Sequence, residues 1–315
     1  MEEFINLLKG RKRSILMGFS ILWIIFFHFA MYGNLLRFPV IDFIFGKGYL
    51  GVDVFFFLSA YGLCHSLNKN TIKEFYVRRF QKLFPVYPVF LAILFLAFPD
   101  TRGKSWLLTG FFQISGISMF IPLEIEWFIP ALILLYLLFP LLYKGIRVIY
   151  QKGLGMTVLL LVLLSLVSPH ISGFVFYLFS LRLVIITLGI LTYFALTDGN
   201  QSFLLAVYVL SAFIGVLYIG NDQLNVSMTG SLIIPLLLYG ISQIPFTAEK
   251  VPFLPFVGEH SLELYLAQCL AFNHFMASTT LTFIPTTLLS GLITLLVAVA
   301  LFLIQNTYCK VLRRK

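Results

Sequence analysis

Apolar runs of about 17 to 25 residues, each long enough as a helix to cross a hydrocarbon core of roughly 30 Å, recur from residue 14 almost to the end of the 315-residue chain. A backbone in hydrocarbon must satisfy its own hydrogen bonds, which leaves helices or a closed barrel. Runs such as Leu159 to Val167 do not alternate as barrel strands would, so the spans are helical. Only 11% of residues are charged, against about 25% in soluble domains, so water is not the main solvent. The predicted fold is an all-α polytopic transmembrane helical bundle of about ten spans, at 14–36, 50–67, 84–98, 127–143, 155–169, 174–196, 203–219, 228–246, 257–277 and 286–308. With no linker, internal repeat or low-complexity tract, residues 1–315 read as a single membrane-embedded domain.

The net charge of +9 sits in short clusters between apolar runs, which the positive-inside rule explains without nucleic acid. Cytoplasmic N and C termini place the clusters Lys69 to Lys82, Lys144 to Lys152, Lys250 and Lys310 to Lys315 inside. Only Arg37, Lys47, Arg102 and Lys104 then fall outside. Counting the apolar segment Trp106 to Ile121 as an eleventh span would reverse the loop at Lys144 to Lys152, so that segment is predicted to be re-entrant or interfacial. Lys9, Arg11, Lys12 and Arg13 precede a first span without a small-residue cleavage site, as in an uncleaved anchor. Cys64, Cys269 and Cys309 lack metal-ligand spacing and read as small apolar residues, so neither a metal site nor a disulfide framework is expected.

Ionisable side chains inside a span cost several kcal/mol and are the default functional candidates. His28 lies in the outer half of the first span and Asp53 in the first turn of the second, so the two are predicted to share a depth. A carboxylate would orient the imidazole and keep it basic enough to take a proton from a hydroxyl. A histidine bonded to a neighbouring helix, and an aspartate placed only for the helix dipole, are the plainer readings. Glu126, beside the interface residue Trp127, is a weaker candidate. Arg182, deep in the sixth span, requires a carboxylate, carbonyl, water or substrate partner.

The stretch Phe75-Tyr-Val-Arg-Arg-Phe-Gln-Lys-Leu-Phe-Pro85 carries three cations, Arg78, Arg79 and Lys82, within five residues. These suit a polyphosphate, and equally a positive-inside anchor on anionic lipid. Lys9 to Arg13 and Arg313 to Lys315 read as anchors. Gly46 to Gly51 matches GxGxxG, yet no strand precedes it, so it is a turn.

These residues resemble membrane-bound acyltransferase family 3, which includes O-acetyltransferases of cell-surface glycans. Gly51-Val-Asp-Val-Phe-Phe-Phe-Leu-Ser-Ala-Tyr-Gly-Leu63 is similar to the family's Gly-Val-Asp motif and follows Phe26-Phe-His28 at the usual interval. Arg78 to Pro85 is similar to its arginine-rich stretch. Trp127 to Pro140, Arg182 to Gly189 and Gly258-Glu-His-Ser-Leu-Glu-Leu-Tyr-Leu266 extend the likeness. Four positions depart from it: Met17 stands where many members have Arg, Lys82 replaces a second Arg, Ala60 a Gly, and Gln268 a frequent His.

The resemblance implies an acyl donor, acetyl-CoA or another acyl-CoA, bound from the cytoplasm at Arg78, Arg79 and Lys82. It also implies His28 in catalysis, with Asp53 as its partner and Ser59 or Arg182 available to an oxyanion. The expected activity is transfer of an acyl group to a hydroxyl of a cell-surface carbohydrate or its lipid-linked precursor, in a multi-pass bacterial plasma (inner) membrane, directly or through a separate partner protein. Membrane lipids are the other expected partners. Rival readings are an acyltransferase acting on a lipid headgroup or carrier, a secondary transporter with a His28/Asp53/Arg182 proton relay, and an inactive scaffold.

Overall fold

A computed structural model of the chain describes residues 2–33, 39–98, 105–121, 126–171, 174–218, 223–244, 251–276 and 283–313. It is helical throughout, with no strand among the described residues. A short α1 (Glu2–Leu7) leads into α2 (Gly10–Gly33), then α3 (Pro39–Gly46), α4 (Leu50–Lys69), α5 (Ile72–Leu83), α6 (Tyr87–Ala97) and α7 (Trp106–Ser115). There follow α8 (Phe128–Gln151), α9 (Leu154–Val167), α10 (Phe174–Thr197), α11 (Gln201–Leu217), α12 (Gln223–Ser242), α13 (Phe253–Glu259), α14 (Ser261–Gln268) and α15 (Phe283–Arg313). Each of the ten predicted spans falls on an apolar helix: six are long and apolar enough to cross a membrane, and four are shorter. Arg37, Arg102, Lys104, Lys250, Arg314 and Lys315, which bear on the orientation of the spans, lie outside the described residues.

The outer surface is apolar, with Leu96, Leu141 and Leu217 each exposed, as suits a lipid solvent. Enclosure differs among the helices: 89% of the apolar window of α10 is buried and 67% of that of α4, against 22% for α15. The first two therefore form the centre and α15 the rim.

Small residues set how these helices meet, because glycine lets backbones approach where hydrophobic driving force is absent. A Cβ on Gly51 would stand 2.6 Å from the Ser20 carbonyl oxygen, and one on Gly62 would stand 3.3 Å from Arg13 Nη2. The contacts 51 with 20 and 24, and 62 with 13, fix α4 antiparallel to α2. A Cβ on Gly189 of α10 would meet the Phe57 carbonyl at 2.7 Å and Ala60 Cβ at 2.9 Å. Arg182, two turns earlier, meets Asp53, so α10 runs parallel to α4. Ala60 is tolerated in place of glycine because the facing residue, Gly189, has no side chain. Where α2 crosses α13, a Cβ on Gly258 would overlap the Ser14 carbonyl, and Gly18 abuts Leu254.

Two further details bear on the site. Helix α5 opens on a full capping box: Glu74 N donates to Thr71 Oγ1 at 3.3 Å and Thr71 N to Glu74 Oε2 at 2.8 Å. This fixes where its cations begin. The segment 106–121 is a ten-residue helix ended by left-handed Gly116 (φ +77°) and a 3-10 turn, Ile117–Phe120. Ten residues rise only about 15 Å, too short to cross, so the segment enters and turns. Tyr87 of α6 holds it, donating to Gln113 Oε1 at 2.9 Å.

Candidate active site

His28 sits three turns above Met17 on α2, half-buried, with Nδ1 2.9 Å from the Ile24 carbonyl oxygen. A carbonyl only accepts, so Nδ1 carries the proton and Nε2 keeps its lone pair. Helical side chains lean toward the N-terminus, which tilts this ring back over Ile24.

Asp53 does not reach His28. The α2–α4 register sets Asp53 level with residue 22, about 9 Å along the axis from His28. Its carboxylate is instead held by neighbours on two other helices. Arg182 Nε lies 3.2 Å from Oδ1, with the side chains 4% and 0% exposed, and Ser231 Oγ donates to the same oxygen at 2.8 Å. The expected His28–Asp53 contact is thus replaced by an Asp53–Arg182–Ser231 network. A buried cation needs the carboxylate more than an imidazole does.

Glu126 is buried and fully engaged. Its Oε1 accepts from the Phe128 amide and, at 2.8 Å, from the Tyr265 hydroxyl, and both its oxygens take the Ile129 amide at 3.1 Å. It caps the start of α8 and ties it to α14. Gln268 is buried and donates to Cys269 Sγ at 3.3 Å.

A cavity of about 50 Å³ reaches Ile24, one turn below His28, and is not lined by His28 itself. Its wall along α8 is Phe128, Leu132 and Tyr136, one helical face extending about 12 Å. At one end are Ile24 and Val52; at the other are Met17, Ser59 and the exposed Lys82. Ser59, level with residue 16, is therefore about 18 Å from His28 and beyond reach of chemistry at that ring.

The basic end holds a cluster that the sequence reading divided differently. Arg13, read as an anchor, turns inward and donates from Nη2 to the Leu58 carbonyl at 3.4 Å. Arg13, Arg79 and Lys82 act on one another electrostatically, and both arginines also feel the Tyr136 hydroxyl. The Nε atoms of Arg13 and Arg79 are buried without a hydrogen-bond partner among the described residues. Arg78 points to the surface. Arg13 escaped notice because a basic run before a span looks the same whether its side chains meet headgroups or fold inward. The one usable signal was its spacing: Arg13 lies one turn before Met17 on the same face. No group of three or more metal-ligating side chains occurs among the described residues.

The histidine, the cavity and the cations at its far mouth all lie in a stretch of chain, or directly beside one, that matches a family model. The acyltransferase 3 model, described as an acyltransferase domain, matches residues 15–303. The chain belongs to this family of acyltransferases. The matched region begins just after Arg13, within α2, and ends within α15, so the family's span contains His28, the Asp53–Arg182 pair, the cavity and Lys82. No curated protein and no solved structure matches the chain. With its apolar helices, this acyltransferase is a multi-pass membrane protein.

Proposed function

We propose that this acyltransferase moves an acyl group, acetyl in the first instance, from acyl-CoA to a hydroxyl of a carbohydrate, either a cell-surface glycan or its lipid-linked precursor. The observation that carries the reading is the cavity joining Lys82 to Ile24 beneath His28. It leads from the basic cluster towards His28 and ends at Ile24, one turn short of that base, which is the direction a slender thioester arm would have to take. In this scheme the basic end faces the cytoplasm of a bacterial inner membrane, where acyl-CoA is made, and the termini lie on that side. Arg79 and Lys82 grip the donor's phosphates, with Arg78 at the rim.

His28 Nε2 takes the proton of the acceptor hydroxyl as its oxygen bonds to the thioester carbonyl carbon. The tetrahedral intermediate collapses with loss of the C–S bond, and the imidazolium returns its proton to the departing thiolate, giving the ester and free CoA. General base catalysis of this kind contributes about 10² to 10⁴-fold.

The experiment is deletion of the gene followed by mass spectrometry of surface glycans. Loss of an acyl increment, restored by the wild-type gene and not by His28→Gln, is the expected result. An unchanged glycan profile would count against a carbohydrate acceptor, and an acyl group missing from a lipid fraction would move the acceptor to a headgroup or carrier.

A further inference from the structure

Around the Asp53–Arg182 pair, and apart from Arg182 Nε, which faces Asp53 Oδ1 as an ion pair, four buried polar atoms have no hydrogen-bond partner among the described residues: Asp53 Oδ2, Arg182 Nη1, and the hydroxyls of Tyr49 and Tyr177. Leaving such groups unpaired is costly in low dielectric, so their concentration in one place requires an explanation. They belong together in space. Tyr49 immediately precedes α4, one turn before Asp53, and its hydroxyl feels both Asp53 and Arg182. Tyr177 lies on α10 within electrostatic reach of Arg182. By the packing registers of α4 on α2 and α10 on α4, both tyrosines stand within about 3 Å of the depth of His28. Asp53 and Arg182 lie one to two turns beneath them.

The chemistry of the set is selective. One carboxylate and one guanidinium cancel, so nothing favours a phosphate or carboxylate ligand here, unlike the opposite end, where three cations outnumber the one carboxylate, Glu263, that acts on Lys82. One free acceptor, one free donor and two hydroxyls that do either match the alternating needs of neighbouring hydroxyls on a neutral polyol.

We propose that Tyr49, Asp53, Arg182 and Tyr177 form the binding site for the acceptor, an uncharged carbohydrate held by adjacent hydroxyls, with the hydroxyl to be acylated presented to His28 Nε2. This assignment rests on the acyl-transfer reading above and specifies where its second substrate sits. Asp53 and Arg182 are then binding residues, and Ser231 a positioning residue that fixes the carboxylate.

Tyr49→Phe and Tyr177→Phe each delete a single unpaired oxygen and are suited to test it. Inside-out membrane vesicles from the deletion strain, carrying each variant, would be supplied with radiolabelled acetyl-CoA and followed for label entering glycan. Melting temperature and CoA affinity would be measured on the purified variants. The expected result is a fall in rate of about tenfold per hydroxyl, as for one lost substrate hydrogen bond. CoA affinity should be unchanged, and the melting temperature equal to the wild type's or higher, because an unsatisfied group has gone. Wild-type rates in both variants would overturn the acceptor site while leaving the acyl-transfer reading intact. Equal loss of CoA affinity would also overturn it, as would a drop in melting temperature, since the tyrosines would then serve the donor or the fold. Vesicles with wild-type protein that label no glycan would overturn both.

Discussion

Replacing His28 by Gln keeps a polar side chain of similar reach and removes the basic nitrogen. Acyl transfer should fall about 10² to 10⁴-fold while CoA affinity is retained, as a rate assay and a binding titration on the same preparation would show. Arg182→Met is expected to act on stability first. It strands Asp53, fully buried, without its counter-charge, and breaking such a pair costs about 3 to 5 kcal/mol. The double variant Asp53→Leu/Arg182→Met should recover most of the melting temperature without recovering activity, separating the pair's structural role from its role at substrate. At the opposite end, Arg13→Gln should weaken CoA binding by about tenfold, as for one charge-assisted contact, and Arg78→Gln by much less. Equal effects would restore Arg78 to the donor site. The identities of His28, Asp53 and Arg182 as unusual residues were legible in the chain, because charge in an apolar run stands out. Their pairing was not. Arg182 is distant in sequence from Asp53, and only the packing of α10 along α4 reveals that the carboxylate is taken by the guanidinium and lost to the imidazole.

Helix positions were readable because hydrocarbon demands contiguous apolar residues, and all ten runs became helices. Their lengths were harder to read, since a helix extends into polar flanks: α8 continues past Tyr143 to Gln151 through Lys144 and Arg147. The short reach of the segment at 106–121 was inferred from charge balance, and left-handed Gly116 supplies its physical cause. The crossing of α2 over α13 was invisible in sequence beyond the presence of Gly258. Because a Cβ there would overlap the Ser14 carbonyl, Gly258→Leu should push the two helices apart and lower the melting temperature in detergent. Gly145→Leu, where a Cβ meets open space, should leave it within about 2 °C of wild type, its loss of stability being within the roughly ±0.5 kcal/mol usual for surface changes. Tyr265 and Ser261 of the neighbouring α14 line the cavity, so the same substitution should also depress activity beyond its effect on stability.

Across the whole bundle, alternate helix ends gather at two faces, one carrying Arg13, Arg79 and Lys82 and the other carrying Tyr49 and Tyr177. If the basic face is cytoplasmic, a cysteine introduced at Lys152 should be shielded from a membrane-impermeant thiol reagent in intact cells, and one at Ile171 should react. The opposite labelling pattern would invert the topology and place the phosphate-binding mouth where no acyl-CoA is available. The cavity between these faces, at about 50 Å³, has room for only a handful of waters. This starves the activated acyl carbon of competing nucleophiles, so the protein should hydrolyse acetyl-CoA scarcely at all when no sugar is offered.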